Sequence, residues 1–168
     1  MLKIITAMSQ LDSEQLMGIY LAENQKDGKL HYPNSSADEQ IKLEEISYLS
    51  YLREVFFQQR GAFYCIWVAE NAYKSALRLE PYKDGLLLEG LGTALGDRRR
   101  GYAFCLLSEV LKYLHSTECK TIYSHVSKQN KPSLGVHLKC GFQRVAECAT
   151  LVDGTVTSHS CTMCYYFN

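Results

Sequence analysis

Proline is scarce in this 168-residue chain, 3 in all, and neither it nor glycine gathers into a linker. No repeat and no low-complexity tract occurs either, so nothing marks a domain boundary. Residues 1–168 read as one domain, long enough for a core of its own. No apolar run approaches the roughly 20 residues that cross a bilayer, which argues against a membrane-spanning helix. Excess charge of either sign is missing too, since 18 Lys+Arg balance 18 Asp+Glu. Broad nucleic-acid binding draws on a basic surplus that releases counterions, so the balance argues against that class. The opening "MLKIITAMSQLDSEQ" turns polar too early for a secretory signal.

Cysteine is plentiful, but a pairing pattern is not. The count of 7 is odd, and the residues sit inside apolar runs such as "YCIW", "AFCLL" and "KCGF". That usage predicts reduced, mostly buried thiols in a cytoplasmic protein. Cys161 and Cys164 have a metal-like spacing, yet no second ligand pair accompanies them, and a structural zinc needs about four ligands. No metal is expected. Hydrophobic residues make up 46% and charged residues 21%, the balance of a globular rather than a disordered chain.

The elements that are present follow from patterning. Leu2 to Thr6 is a short strand. Asp12, with Gln15 three residues on and Leu11 set against Leu16, starts a helix. "NQKDGKLHYPNSS" (Asn24 to Ser36) reads as a turn-rich connection. From Ala37 to Gln58, Ile41, Tyr48, Leu49, Leu52, Val55 and Phe56 fall near one helical face. "AFYCIWVAE" is apolar on both faces, as a central strand is. "YKSALRLEPY" alternates Leu77 and Leu79 with Arg78 and Glu80, and Asp84-Gly85 turns the chain into "LLLEGL", completing an antiparallel meander. A helix from Gly101 to about Ser116, the strand "KTIYSHVS" and a short helix from Pro132 to Cys140 follow. A long hairpin on Asp153-Gly154 ends the chain. The order is β, two helices, three strands, helix, strand, helix, two strands.

Chemistry concentrates at "GDRRRGYAF". Arg98-x-x-Gly101-x-Ala103 lies between a strand and an amphipathic helix that turns Ala103, Leu106, Leu107, Val110 and Leu114 to the core. The first amides of a helix have no internal partner and carry the positive end of its dipole, which makes an anion site. Gly101 allows close backbone approach, and Ala103 leaves room at the first turn. A second block, "NKPSLGVHLKCGF", runs from Asn130 to Phe142. Asn130 also reads as a helix cap with Pro132 in the first turn, and Gly141 as the helix end.

Together the two blocks resemble the GNAT superfamily of N-acetyltransferases, by motif over about Leu86 to Phe142 and by element order over the whole chain. The resemblance implies an α/β (α+β) fold with a mixed, mostly antiparallel sheet of about six to seven strands flanked by about four helices. It implies acetyl-CoA as co-substrate, its pantetheine lying where the strand before the turn splays from its neighbour; Gly90 and Gly92 suit such an approach. Backbone at Leu91 and Thr93 would meet the pantetheine amides or the acetyl carbonyl. The amides of Arg98, Arg99, Arg100, Gly101, Tyr102 and Ala103 would take the diphosphate. Asn130 and Ser133 would contact the pantetheine or adenosine side.

Three positions depart from the family pattern: Thr93 replaces a valine, Leu95 a proline, and His137 a tyrosine placed near the cofactor sulfur. His137 is therefore the expected proton donor to the departing thiolate. Glu89 is the expected base, on the same strand face as Leu91 and Thr93 unless a bulge intervenes, with His125 a weaker candidate. His31, His115 and His159 carry no motif, while Tyr32, Tyr48, Tyr51 and Phe56 read as packing. The reading is a cytoplasmic N-acetyltransferase, with direct attack by a small-molecule or peptide amine in a ternary complex. No cysteine stands beside a base as a nucleophile. The alternative is a CoA-binding module without turnover. No nucleic acid or membrane partner is expected, and a homodimer stays open.

Overall fold

The computed structural model describes residues 1–167. Strand β1 (Leu2–Ile5) opens the chain, and Asp12 starts helix α1 (Ser13–His31) by accepting the Gln15 amide at 3.0 Å. Such a cap contributes about 1 kcal/mol. Helix α2 (Ala37–Glu54) begins with a full capping box, in which the side chains of Ser36 and Glu39 each accept the other's amide.

Between them the structure corrects the expected turn-rich connection. α1 continues through that segment to His31, leaving only Tyr32 to Ser36 as the loop. Asp27-Gly28 is helical because Gly28 is where the two helices touch: a Cβ there would lie 2.8 Å from the Gln40 carbonyl oxygen. The same Gln40 donates its side-chain amide to the carbonyls of Tyr32 and Ser35, closing the loop. At the other end of α2, Val55 is exposed rather than buried. The helix stops at Glu54, and a 3₁₀ turn, Phe56–Gln58, carries Phe56 inward instead.

Strands β2 (Phe63–Ala69), β3 (Ala72–Tyr82) and β4 (Gly85–Thr93) form the expected antiparallel meander. Then come α3 (Tyr102–His115), β5 (Thr121–Ser127), α4 (Lys131–Lys139), β6 (Gln143–Ala146), β7 (Ala149–Thr150), β8 (Val156–Thr157) and β9 (Ser160–Tyr166). Seven strands make one sheet in the order β1-β2-β3-β4-β5-β9-β6, with β4–β5 its parallel pair. This is the mixed, mostly antiparallel α/β architecture that the sequence predicts.

The final hairpin holds in outline only. β6 pairs with β9, but the register shifts between Arg144 and Ala146, and the tip forms a separate β7–β8 ribbon around Gly154. Cys161 and Cys164 are both buried in β9, three residues apart and so on opposite faces.

Each sheet face carries a core. Under α3 and α4 it is aliphatic, with Leu77, Leu79, Leu88, Leu106, Val110, Ile122 and Met163. Under α1 and α2 it is built from Leu16, Ile19, Leu52, Phe56, Ile66 and the buried phenols Tyr20 and Tyr64. Burying one such large side chain stabilises the fold by roughly 1.5–3 kcal/mol. Among the described residues no helix is long and apolar enough to cross a membrane.

Candidate active site

β4 and β5 pair only at Leu86–Ile122, Leu87–Tyr123 and Leu88–Ser124. Beyond those residues β4 runs on to Thr93 and β5 to Ser127 without pairing to each other. A wedge opens between two central strands. Its cause lies on the other side of β4, where Arg78 pairs with Glu89 and Ala76 with Gly92. Leu77 therefore faces two residues, Gly90 and Leu91. Gly90 takes the left-handed conformation, φ +63°, that this bulge requires. A bulge bends its strand and adds twist, which carries the far half of β4 away from β5.

The bulge also corrects the expected face of Glu89. One extra residue reverses the alternation, so Glu89 sits with Arg78 on the α1/α2 side while Leu91 packs into the core under α3.

After Thr93 the chain makes a short turn, Leu95–Asp97, and reaches Arg98. Arg99 and Gly101 both have left-handed backbone, φ +64° and +84°. Helices α1, α2 and α4 start with a capping side chain, from Asp12, Ser36 and Asn130; α3 has none. A Cβ at Gly101 would meet nothing within 4 Å, so the helix start opens to solvent. Its first amides, through Tyr102 and Ala103, lack intrahelical partners and present the positive end of the dipole. Such a helix start has the geometry of an anion site.

Two of its arginines already brace the scaffold. Arg98 donates to the Thr93 carbonyl and to Glu23 of α1, both at 3.2 Å. Arg100 donates to Asp97 at 2.8 Å, and Asp97 also receives Lys74 of β3. Arg99 has no ion-pair partner among the described residues.

The second block lies beside the wedge, at the end of β5. Asn130 caps α4 by accepting the Ser133 amide at 3.1 Å. His137, one turn further, departs from expectation because its side chain points into the protein and is 1% exposed. Its Nδ1 lies 2.8 Å from the Ser133 carbonyl, which can only accept, so the proton is on Nδ1. Nε2 then accepts from the Ser124 hydroxyl at 2.9 Å. Burial lowers its pKa and keeps the ring neutral. A ring so placed has no N–H free for a thiolate, which removes the expected acid.

On the opposite sheet face the charged groups meet. Arg78 donates to Glu89 at 2.6 Å and to the Tyr48 hydroxyl at 3.0 Å, and its guanidinium also lies over the Tyr51 ring. Tyr48 contacts Tyr64 at 2.5 Å, Tyr64 contacts Tyr20 at 3.0 Å, and Tyr20 donates to the Gly90 carbonyl at 2.6 Å. Burial raises the pKa of Tyr20 and Tyr64 well above that of a free phenol, so both stay neutral.

Glu80, next along this face of β3, is 5% exposed; burial raises its pKa, and the charge of Glu89 raises it further. His125 is the first residue of β5 beyond the last β4 pair, as Glu89 is the first on β4. Its ring meets the Tyr82 edge, and its Nδ1 is buried without a partner. Burial lowers its pKa as well, against the attraction of Glu89.

The structure sets Glu89 and His125 at the mouth of the wedge and the Arg98–Ala103 turn beyond the end of β4. It brings to Glu89 three residues that sequence reasoning did not single out, Arg78, Tyr20 and Tyr64, together with Tyr48 and Tyr51, which that reasoning reads as packing. The signal for Arg78 was its charged place, with Glu80, between the leucines of a central strand.

Comparison with known proteins agrees with this geometry. The model of the acetyltransferase (GNAT) family matches residues 30–142. No curated protein matches the sequence significantly. The PaiA N-acetyltransferase of Thermoplasma acidophilum, solved in complex with coenzyme A, superposes with a TM-score of 0.66 at 14% identity, over 99% of both chains. Campylobacter jejuni N-acetyltransferase PseH, solved in complex with acetyl coenzyme A, gives 0.63 at 14% identity over 100% of both. The ribosomal-protein-S18-alanine N-acetyltransferase of Escherichia coli gives 0.62 at 13%, over 100% of this chain and 95% of that one. With the wedge, the uncapped helix and a family match over most of its length, this chain belongs to the GNAT acetyltransferase family.

Proposed function

We propose that the chain moves an acetyl group from acetyl-CoA to an amine by direct attack with both substrates held in the wedge, residues 1–168 acting as one cytoplasmic domain. The observation that carries this is the wedge between β4 and β5 leading straight into the one α-helix start, among those described, that no side chain caps. Two structures of the same fold hold coenzyme A or acetyl coenzyme A, which supports the choice of ligand.

The residues present fit that co-substrate. The amides from Arg98 to Ala103 receive the diphosphate, that of Arg98 by giving up its 3.5 Å contact with the Leu95 carbonyl and those from Arg99 onward already bare, with the arginine charges around them. Backbone at Leu91 and Thr93 lines the wedge for the pantetheine amides or the acetyl carbonyl. Asn130 and Ser133 flank the pantetheine or adenosine side, and the Asn130 side-chain N–H₂ has no partner among the described residues. Acetyl-CoA supplies an activated thioester. The protein supplies orientation and donors aimed at the developing oxyanion.

An amine reaches the site largely as ammonium and must lose a proton before it attacks. Glu89 helps to remove it: Arg78 engages its Oε2 at 2.6 Å, and the buried carboxyl of Glu80 lies beside the same carboxylate. His125, neutral and across the wedge, is a second acceptor for that proton. The N–C bond forms as the C–S bond breaks, and with His137 committed inside the protein, water protonates the sulfur.

The test is thiol release from acetyl-CoA across small amines and peptide N-termini. Release with at least one amine class is the expected result. Binding of CoA at the turn with no release for any amine would establish the second reading, a CoA-binding module without turnover. The buried commitment of His137 is the observation that favours that alternative.

A further inference from the structure

The hydroxyls between Arg78 and Gly90 form a chain with one possible direction. Arg78 has only donors, and the Gly90 carbonyl only accepts. Each tyrosine has a single hydroxyl proton. Tyr20 gives its proton to Gly90, so Tyr64 must donate to Tyr20, Tyr48 to Tyr64, and Arg78 to Tyr48. Four residues on four elements, α1, α2, β2 and β3, thus polarise one carbonyl on β4, the carbonyl of the bulge itself.

That carbonyl shares a planar trans peptide with the Leu91 N–H, and in such a peptide the two bonds point in opposite directions. When Tyr20 holds the Gly90 oxygen toward α1, it turns the Leu91 N–H away from α1. Polarising the carbonyl also strengthens the N–H as a donor, because linked hydrogen bonds reinforce one another. Gly90, at φ +63°, offers little resistance of its own to peptide rotation, so the hydroxyl sets the orientation.

We propose that Tyr20 is a positioning residue for catalysis: the Arg78–Tyr48–Tyr64–Tyr20 chain aims and strengthens the Leu91 N–H as an oxyanion donor. This rests on the acetyl-transfer reading above. It gives helices α1 and α2 a part in the chemistry although neither supplies a reacting group.

The experiment compares the parent with Tyr20→Phe and Tyr64→Phe, both of which keep the ring and remove one hydroxyl. Losing an oxyanion donor outright lowers kcat about 10²–10³-fold, and a misaimed one less, about tenfold. Both variants are expected to lose about tenfold in kcat, with KM for acetyl-CoA unchanged because the diphosphate cradle is untouched. In the ligand-free protein, the Leu91 amide proton is expected to shift upfield in both variants by NMR, as its peptide loses polarisation. Tyr64→Phe is the stricter case, since it interrupts the chain two bonds from Gly90. A lower melting temperature with unchanged kcat and an unmoved Leu91 resonance would overturn the proposal and leave the chain a fold element. If the parent itself acetylates no amine, the catalytic role falls together with the acetyl-transfer reading, while a Leu91 shift would still establish that the chain reaches this amide.

Discussion

The two faces of the sheet solve different problems. Under α3 and α4 the sheet is covered by leucines, valines and isoleucines, and its polar feature, the turn from Arg98 to Ala103, lies at the end of a helix in solvent. Under α1 and α2 the same strands carry Arg78, Glu80 and Glu89 alongside Tyr20, Tyr48 and Tyr64, with charges and hydroxyls inside the protein. A buried polar group is costly unless partnered. The second face therefore needs a continuous hydrogen-bond network, whereas the first is held mostly by close packing, with the His137–Ser124 pair as a local polar exception. On the proposed function, binding of the co-substrate belongs to one face and proton handling to the other.

Substitutions on each face should separate the two tasks. The largest effect is expected from Gly101→Glu on the cradle side. At φ +84° a side chain strains the turn, and a carboxylate repels phosphate. For the parent, CoA at about 100 times its dissociation constant should add roughly 2.7 kcal/mol of stability, read as a rise in melting temperature. The variant should fold and show no rise. A shift of parental size would place the cofactor elsewhere.

Next comes Glu89→Gln on the other face, where CoA binding should be retained and turnover should fall. A positioned base contributes about 10²–10⁴-fold, most visibly at pH values where the amine is protonated. Parental rates across the whole pH range would leave Glu89 as the ion-pair partner of Arg78 and nothing more.

The smallest effect concerns His137, which the structure moves from the chemistry into the packing between β5 and α4. Replacement by Phe removes two hydrogen bonds and leaves the Ser124 hydroxyl without its partner, at a cost of about 1–3 kcal/mol, with kcat per folded molecule retained. The parent should show a matching pH dependence. Burial holds the pKa values of His137 and His125 below the ordinary histidine range. The unfolded chain then binds more protons than the folded one below about pH 6.5. Stability is full above that value and declines as pH falls toward the folded pKa values. His137→Phe should make the decline shallower in a denaturant titration at several pH values; an unchanged slope would mean that His137 does not contribute to it.

Where the signal was local, the sequence was enough. The alternation of Leu77, Arg78, Leu79 and Glu80 reported a strand, and Gly101 ahead of an amphipathic run reported the start of α3, because both depend on neighbours in the chain. The bulge escaped notice because Gly90 looks like any strand glycine until its pairing with β3 is known. The tyrosines escaped for a related reason: Tyr20, Tyr48, Tyr64 and Arg78 come from four elements, and only the fold brings their hydroxyls together. Gly28 misled in the opposite sense, since Asp-Gly favours a turn locally and contact with α2 overrides it. His137 was misplaced because its position on a helix gave its register and not the direction of its ring.

The wedge gives the sheet two additional edges in its interior. Unpaired strand edges at a rim attract other chains, and proteins keep rim strands short to limit aggregation; β1 and β6 here have 4 residues each. The inner edges along Glu89 to Thr93 and His125 to Ser127 need no such restraint, because each shields the other. A foreign strand would have to slide in lengthwise between two neighbours, with its side chains striking both. A slender chain of amides and methylenes can make that entry. On the proposed function the gap would work as a size filter, open to a thread and closed to a ribbon.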